Sequence, residues 1–460
     1  MAKIVLGQLE DGRRLEFLEE TLRELHNVIV GTTGQRKTVF LVSVLSQYVR
    51  FPNVSVVNID LGGDQAAFWT LKEAADDAKK PFYFLSLGPH DSCSWDYLRN
   101  TPAFAEDLTA ATMGTSQGMR LEYGEGYGRS FWSRLSGADI NKAFDQLTAK
   151  GIVLPSFNDL CEELRLIAAR SGRRQQVSEA YLAAEQLRRY AVLTERRERE
   201  LWLGKAIEEG AVVYFYLPTA HHGAAARAIA SLAAWCTTVE ASYRVEKGLP
   251  ERRIVLAIDE FPQIAAGRSA VSSTLTLARK WNIVMYLVLQ DMEQARTADG
   301  DLKDILRSQC QQIIFTAESE EEQNYLRLRS QDVLRTLDSQ SFRKLSATTS
   351  VREYWEPGLT RNEIMELNGV AMKAFGVFKL GDKHRDPIPF TILPAISKTD
   401  HTELKNKPLP PLVNVSPTAT IGGNSVSQLP TDSADRRKRA DALTALLQAI
   451  QQEETWKMGR

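Results

Sequence analysis

The stretch from Gly31 to Thr38 has the residue types of a phosphate-binding loop, at nearly the required spacing. It reads Gly31, Thr32, Thr33, Gly34, Gln35, Arg36, Lys37 and Thr38, close to the pattern G-x-x-x-x-G-K-[ST]. In such a loop, backbone N–H groups and a helix N-terminus surround the phosphates, the lysine reaches the β- and γ-phosphates, and the hydroxyl binds Mg²⁺. Lys37 and Thr38 fit these roles, so the sequence predicts that these eight residues bind ATP with Mg²⁺.

One residue of this loop departs from the pattern. Arg36 occupies the position of the second required glycine. A side chain at this position would either strain a backbone conformation that glycine tolerates or crowd the phosphates. The alternative interpretation of the whole stretch is an ordinary glycine-rich turn between a strand and a helix.

Two carboxylates follow an apolar run much later in the chain. Ile254–Ile258 is followed directly by Asp259 and Glu260. Open α/β sheets bind their ligands at the carboxyl ends of the strands, which is where these two acids would lie. In a site of this kind Asp259 would hold Mg²⁺, usually through water, and Glu260 would orient and polarise the attacking water.

A polar amide ends the next apolar run. Ile283–Leu289 is followed by Gln290, which would lie at the same edge of the sheet. An uncharged amide there can hydrogen-bond the γ-phosphate or the lytic water and sense the loss of the phosphate. The alternative is a polar residue that merely ends a strand at the surface.

These residues need a parallel sheet to position them, and the sequence has the rhythm of one. Short apolar runs alternate with amphipathic helical patterns, as in β-α-β units. Strands are predicted at 28–30, 54–60, 82–87, 211–217, 254–259, 283–289, 312–316 and 374–378, and helices at 38–49, 65–78 and 224–246. The predicted fold class is α/β, a P-loop NTPase core with a mostly parallel sheet.

The pattern also predicts a division into domains. Residues 1–97 and 210–400 form the two parts of the core, and residues 98–209, which have Leu and Ala at helical spacing, form an inserted all-α domain. Residues 401–432 are rich in proline, serine and glycine, which predicts a flexible linker. Residues 433–460 predict an amphipathic helix that either packs on its own domain or binds a protein partner, nucleic acid or anionic lipid.

Composition limits the classes of function. The 57 basic residues nearly balance the 58 acidic ones among 460 residues, so any binding of nucleic acid must be local. No apolar run approaches the length of a membrane-spanning helix, which predicts a cytoplasmic protein without a direct membrane span. Four separated cysteines and the pair His221 and His222 lack partners at ligand spacing, so no disulfide or metal site is predicted.

Together these motifs resemble one protein family. The resemblance rests on the phosphate loop after His26–Val30, the turn Ile59–Asp64, the helical insertion, Asp259–Pro262, Arg279 with Lys280, Leu289–Gln290 and Ser308–Phe315. In these features the chain, over about residues 1–395, resembles the coupling ATPases of conjugative DNA transfer and type IV secretion (the TraG and TraD group). That group belongs to the wider HerA and FtsK class of hexameric DNA translocases.

The resemblance implies a RecA-like motor domain that assembles into a hexameric ring and uses ATP to pump DNA. The DNA would be single-stranded or bound without sequence preference. It implies a neighbouring subunit's arginine at each site, for which Arg279 and Arg307 are the candidates. The catalytic set is then Lys37, Glu260 and Gln290. The membrane-tethering helices of many coupling proteins are missing, which implies a soluble relative, or one that partners recruit to the inner membrane.

Other interpretations stay open at this point. The segment Tyr123–Trp132 is either a structural turn or an aromatic loop that stacks on bases. The alternative functions are a non-hydrolysing P-loop scaffold, whose terminal helix recruits a relaxase or another secretion-system protein, and a protein-remodelling or signalling NTPase that does not use DNA.

Overall fold

The computed structural model describes residues 3–22, 26–119, 129–170, 178–265, 275, 277–297, 300–343, 346–368, 370, 372–380, 383–384 and 386–412. The predicted helix at 433–460, most of the predicted linker and the aromatic residues of Tyr123–Gly128 lie outside the described residues. The strands are β1 Lys3–Gln8, β2 Arg14–Leu18, β3 His26–Val30, β4 Val54–Asp60, β5 Phe82–Ser86, β6 Val212–Tyr216, β7 Arg253–Asp259, β8 Ile283–Leu289, β9 Arg296–Thr297, β10 Gly300–Asp301, β11 Cys310–Ile314, β12 Asp332–Arg343, β13 Ser346–Pro357, β14 Lys373–Val377, β15 Lys379–Leu380, β16 Lys383–His384 and β17 Ile388–Ile392.

The helices follow the apolar periodicity of the chain. They are α1 Glu19–Leu22, α2 Lys37–Val49, α3 Gln65–Asp77, α4 Ala103–Glu106, α5 Leu108–Gly118, α6 Arg129–Ala149, α7 Phe157–Arg170, α8 Glu179–Arg188, α9 Ala191–Thr194, α10 Leu203–Glu208, α11 Thr219–Glu246, α12 Lys303–Gln309, α13 Glu320–Arg329, α14 Arg361–Asn368 and α15 Lys398–Asn406. Between β5 and β6 the described residues form helices α4 to α10 and no strand of the sheet. The α-helical character predicted for 98–209 matches this segment.

Eleven strands of the described residues form one sheet, in the order β2-β1-β17-β14-β11-β3-β8-β7-β4-β6-β5. The seven strands from β11 to β5 are parallel, and β14, β17, β1 and β2 extend the sheet with antiparallel pairs. The phosphate loop follows β3. Asp259 ends β7 and Glu260 comes directly after it, and Gln290 follows β8, which lies between β3 and β7. Because parallel strands share one carboxyl edge, this order brings the phosphate loop, Asp259, Glu260 and Gln290 to the same edge of the sheet.

The central strands are buried on both faces, as expected for a parallel sheet covered by helices. Alternate residues of each strand point to opposite faces. On one face Val57, Leu256 and Leu287 share a core with the inserted helices and α11. On the other, Val56 and Val255 pack with α2 and α3.

The predicted strands at 54–60 and 283–289 coincide with β4 and β8, and the other predicted strands differ from the observed ones by one or two residues at an end. The regular part of α11 begins after a break at Gly223 (φ 43°, ψ −111°), next to its predicted start. The apolar pattern does not predict the hairpin of β1 and β2, the outer strand β17 or the long hairpin of β12 and β13. The strands β1, β2 and β17 lie in the antiparallel part of the large sheet, and β12 and β13 form a separate sheet. These strands lack the long apolar runs that mark the central parallel strands.

The predicted start of the flexible linker, at residue 401, is wrong. Residues 401–406 belong to α15, whose N-cap Ser397 accepts a hydrogen bond from the Asp400 backbone N–H at 3.1 Å. Just after the helix, the carbonyl of Lys407 accepts a hydrogen bond from Trp69 Nε1 at 3.2 Å, and the Lys407 ammonium lies 3.7 Å from the Trp69 ring centroid. Contacts with α3 therefore order a segment whose composition alone favours a loop.

Within the described residues no helix is long and apolar enough to cross a bilayer. The four cysteine thiols are free and buried. Among the described residues no group of three or more histidine, cysteine or acidic side chains could hold a metal ion, so His221 and His222 belong to no such group.

A buried carboxyl group in α11 predicts a pH-dependent stability. Burial raises the pKa of Glu240 from its usual 4.5 to about 7. The folded protein therefore keeps a proton that the unfolded chain loses between these values, and the free energy of unfolding falls as the pH rises through this interval. We expect Glu240→Gln to be more stable than the unaltered protein at pH 8, by on the order of 3 kcal/mol at most, and of similar stability near pH 4.5.

Urea denaturation at the two pH values measures this difference. Gln retains the acceptor for the Ala103 backbone N–H, which lies 3.3 Å from Glu240 Oε1. The matched control is Glu246→Gln, an exposed acid on the same helix, which should leave the pH dependence unchanged. An equal pH dependence in Glu240→Gln and the unaltered protein would contradict the assignment.

Candidate nucleotide-binding site

The loop between β3 and α2 begins with a glycine that no other residue can replace without movement. A Cβ on Gly31 would lie 2.6 Å from the Cβ of Phe315, just beyond β11. The next residue, Thr32, donates its backbone N–H to Thr316 Oγ1 at 2.8 Å. The loop is thus fixed against the end of the neighbouring strand.

Two positions of the loop have left-handed backbone. Gly34 has φ 90°, and a Cβ there would meet no atom within 4 Å. Arg36 has φ 67° and ψ 24° and is exposed. A left-handed conformation costs a non-glycine residue about 1–2 kcal/mol. Of the two consequences predicted for Arg36, the structure shows the first, a conformation that glycine would adopt without this cost.

Arg36→Gly is therefore expected to raise the free energy of unfolding by about 1 kcal/mol, because it removes the left-handed strain. Chemical denaturation measures this change. The control is Arg50→Gly at the other end of α2, where the backbone is right-handed with φ −73°, so that glycine should destabilise the protein there. A destabilising effect at both positions would contradict the argument.

Lys37 is the first residue of α2 and is only 8% exposed. Its Nζ donates a hydrogen bond to the carbonyl oxygen of Thr32 at 3.0 Å, across the loop. Burial lowers its pKa, and the nearby Glu260 and Asp259 carboxylates oppose this shift. Among the described residues no side chain caps the start of α2, which leaves the N–H groups of its first turn without a side-chain acceptor. A helix N-terminus of this kind, with a lysine folded over it, fits a chain of phosphates.

The hydroxyl of the loop and the first acid of β7 are in contact. Thr38 Oγ1 donates a hydrogen bond to Asp259 Oδ2 at 3.1 Å. Asp259 Oδ1 accepts the backbone N–H of Glu260 at 3.0 Å, which orients the carboxyl group. Burial, with the nearby Glu260 charge, raises the pKa of Asp259 to about 6. A hydroxyl beside a carboxylate is an oxygen donor set that fits Mg²⁺.

A second buried carboxyl group, which received no role from the sequence, lies beside the first. Asp60 ends β4 directly opposite Asp259 in the register of the two strands. Its oxygens accept the Gly63 and Asp64 backbone N–H groups at 2.7 and 2.9 Å and the Tyr214 hydroxyl at 2.8 Å. Burial, with the Asp259 charge, raises the pKa of Asp60 to about 7. The available signal was an acid at the end of a buried strand, the same pattern that identified Asp259.

The second acid and the amide that follows the next strand are in contact. Gln290 Nε2 lies 3.2 Å from each carboxylate oxygen of Glu260. Glu260 has a left-handed backbone (φ 55°, ψ 44°), which turns the chain sharply after β7. The Gln290 backbone N–H donates to Gln294 Oε1 at 3.0 Å. The carboxylate of Glu260 is thus held beside the loop but is not buried.

The two arginine candidates lie away from this edge. Arg279 is exposed in the 3₁₀ turn Ala278–Trp281 that precedes β8, at the amino end of the parallel strands. Arg307 lies in α12, which leads into β11 at that same end, and its guanidinium donates to Glu321 Oε1 at 3.0 Å. Neither belongs to the site within one chain, so a role for either at a neighbouring subunit's site stays a prediction.

Part of the chain matches a known protein family. Residues 231–369 match the family described as "Type IV secretory system Conjugative DNA transfer", a segment that includes Asp259, Glu260 and Gln290 but not the phosphate loop. No curated protein sequence matches the chain significantly.

Solved structures match over most of the chain. The unbound bacterial conjugative coupling protein TrwB lacking its N-terminal segment is 15% identical, with 84% of this chain and 88% of that chain covered and a TM-score of 0.54. TrwB in complex with ADP and Mg²⁺ is also 15% identical, with 86% and 91% covered and a TM-score of 0.54. VirB4 of Thermoanaerobacter pseudethanolicus is 14% identical, with 86% and 97% covered and a TM-score of 0.55.

These matches confirm the predicted fold class, a RecA-like P-loop core with a mostly parallel sheet. The family match and the fold together also confirm the resemblance to the type IV coupling ATPases.

Proposed function

We propose that this protein is an ATP-driven DNA translocase, a coupling ATPase of conjugative transfer and type IV secretion. The observation that supports this most is the convergence of Lys37, Thr38, Asp259, Glu260 and Gln290 at one edge of the three neighbouring strands β3, β8 and β7. The match to the conjugative DNA transfer family supports DNA as the substrate. A TrwB structure described with ADP and Mg²⁺ supports the choice of nucleotide and metal.

In this function each side chain has a definite task. The loop from Gly31 to Thr38 binds the phosphates through its N–H groups, and Lys37 binds the β- and γ-phosphates. Thr38 and Asp259 hold Mg²⁺, which neutralises phosphate charge when it is bound. Glu260 orients and polarises the attacking water, and Gln290 holds the Glu260 carboxylate and senses the γ-phosphate.

The proposal extends to assembly. The subunits form a ring, in the simplest case a hexamer, and an arginine of the neighbouring subunit, Arg279 or Arg307, stabilises charge during phosphoryl transfer. Arg279 is the better candidate of the two because it is exposed, whereas Arg307 is bonded to Glu321 in its own chain. The C-terminal segment recruits a relaxase or other secretion-system proteins, and partners bring this cytoplasmic motor to the inner membrane.

One observation favours a second candidate function. Arg36 is a strained, exposed residue at a position where the phosphate-loop pattern has glycine. A non-hydrolysing scaffold would retain the fold while its loop no longer binds ATP. Calorimetry of ATP binding to the unaltered protein and to Arg36→Gly separates the two: tight binding by the unaltered chain contradicts the scaffold, and binding gained only with glycine supports it.

The proposed function is tested by the ATPase rate with and without single-stranded DNA, together with the particle mass. We expect the rate to rise when DNA is added and the mass to correspond to a ring. A protein that hydrolyses ATP at a rate that ignores DNA would instead be a remodelling or signalling NTPase, the third interpretation.

A further inference from the structure

A basic pocket lies at the edge of the sheet opposite the candidate nucleotide site. Helix α12 leads into β11, and Lys379 follows β14, which is antiparallel to β11, so both lie at the amino end of the parallel strands. The phosphate loop lies at the carboxyl end. The pocket has a volume of about 380 Å³ and is lined by Asp304, Arg307, Ser308, Tyr325, Arg329 and Lys379.

A fixed aromatic ring holds two guanidinium groups at this pocket. The guanidinium carbons of Arg307 and Arg329 lie 4.4 and 5.3 Å from the ring centroid of Tyr325. The Tyr325 hydroxyl accepts a hydrogen bond from Nε2 of the buried Gln312 at 2.6 Å, which fixes the ring. Stacking on an aromatic ring restricts an arginine while leaving the edge of its guanidinium available to an anion.

The positive charge of the pocket is only partly neutralised. Arg307 bonds Glu321, but its Nε is buried without a hydrogen-bond partner among the described residues. Within the described part of the chain, neither Arg329 nor Lys379 has a carboxylate within ion-pair distance. The backbone of Lys379 is held by Gln311, with hydrogen bonds of 2.6 and 3.0 Å. The side chains of Arg329 and Lys379, which have no carboxylate partner among the described residues, thus border one cavity together with the stacked Arg307, and Asp304 is the one acid of the lining.

We propose that this pocket binds the phosphodiester backbone of single-stranded DNA. The inference rests on the proposed function, and it assigns the place of contact on a chain whose net charge is only −1. Planar guanidinium groups match the geometry of phosphate oxygens. The Tyr325 ring already packs against two arginines, so the pocket reads the backbone and not the bases, which gives binding without sequence preference.

The test compares DNA binding by the double variant Arg329→Gln/Lys379→Gln with that of the control Arg14→Gln/Lys142→Gln. Both remove two positive charges and keep aliphatic side chains, and the control residues are exposed and outside the pocket. The probe is a fluorescent single-stranded thymidine oligonucleotide, followed by anisotropy over a series of salt concentrations. The pocket variant should bind about tenfold more weakly, and its dependence of log K on log salt should be shallower by about 1.4, because each lost phosphate contact removes about 0.7.

The ATPase rate without DNA and the melting temperature should match those of the control, which excludes a general loss of folding. A second measurement needs no variant: bound oligonucleotide should protect Lys379 from acetylation in the unaltered protein. If the protein binds DNA but the pocket variant behaves like the control, or Lys379 is not protected, this inference is wrong and the proposed function stands. If the unaltered protein binds no DNA, both are wrong.

Discussion

Replacing Glu260 by Gln is expected to lower the ATPase rate by about 10²–10⁴-fold, the usual contribution of a general base, while ATP binding is retained. The side chain keeps its shape but loses the negative charge that the proposed function uses to polarise water. The Glu260 carboxylate accepts from Gln290 and makes no hydrogen bond to the phosphate loop in the described structure, so its neutralisation should leave the loop unchanged. Steady-state hydrolysis and calorimetric ATP binding measure the two effects.

The matched control is Glu10→Gln, which removes the same charge from a side chain that is 75% exposed near the antiparallel side of the sheet. Its rate should equal that of the unaltered protein. Unchanged turnover in Glu260→Gln would exclude Glu260 as the residue that activates water. Loss of ATP binding together with turnover would mean that the acid supports the site and does not act on water.

Replacing Lys37 by Met is expected to weaken ATP binding by about 100-fold, which corresponds to about 2.7 kcal/mol and lies within the range of a charged hydrogen bond. The buried ammonium lies at the helix start, where Asp259 and Glu260 also affect its pKa. Without it, two carboxylates would face the phosphates with less compensating charge. Binding of ATP and ADP by calorimetry measures the loss, which should be larger for ATP if the lysine binds the γ-phosphate as proposed.

Lys205→Met serves as the control, since Lys205 is 67% exposed and pairs with Glu209 at 3.7 Å on α10. It should bind ATP like the unaltered protein. Equal affinities of Lys37→Met and this control would show that the loop does not bind phosphate through its lysine, and would favour the scaffold function.

Much of the site could be predicted from the sequence because its chemistry follows local patterns. Asp259 ends one buried strand and Gln290 follows another. Buried strands of this kind are predicted directly by their run of apolar residues. The order of the strands in the sheet does not follow from any local pattern. The contact between Gln290 and Glu260 could be expected only because both were assigned to one sheet edge.

Other features depend on contacts between distant residues and could not be predicted. Asp60 ends an apolar strand as Asp259 does, but its position directly opposite Asp259 depends on the register of β4 with β7, which no local signal specifies. Arg307 lies in α12, before β11, and Arg329 lies in α13, after it, so their meeting on Tyr325 depends on how the two helices pack. The helix α15 forms in a proline-rich region because Trp69, far away in the sequence, provides a surface for the residues that follow it.

The interleaved strand order has a consequence for biosynthesis. The central strands β3, β8, β7 and β4 are neighbours in the sheet, but the chain reaches β8 only after the inserted helices and α11 have been made. At translation rates of about 5–20 residues per second, the phosphate loop is synthesised roughly ten seconds or more before Gln290. Both edges of β3 remain unpaired during that interval, since its partners are β8 and β11. The edges of the apolar strand β3 are therefore complete only when β8 and β11 have both left the ribosome.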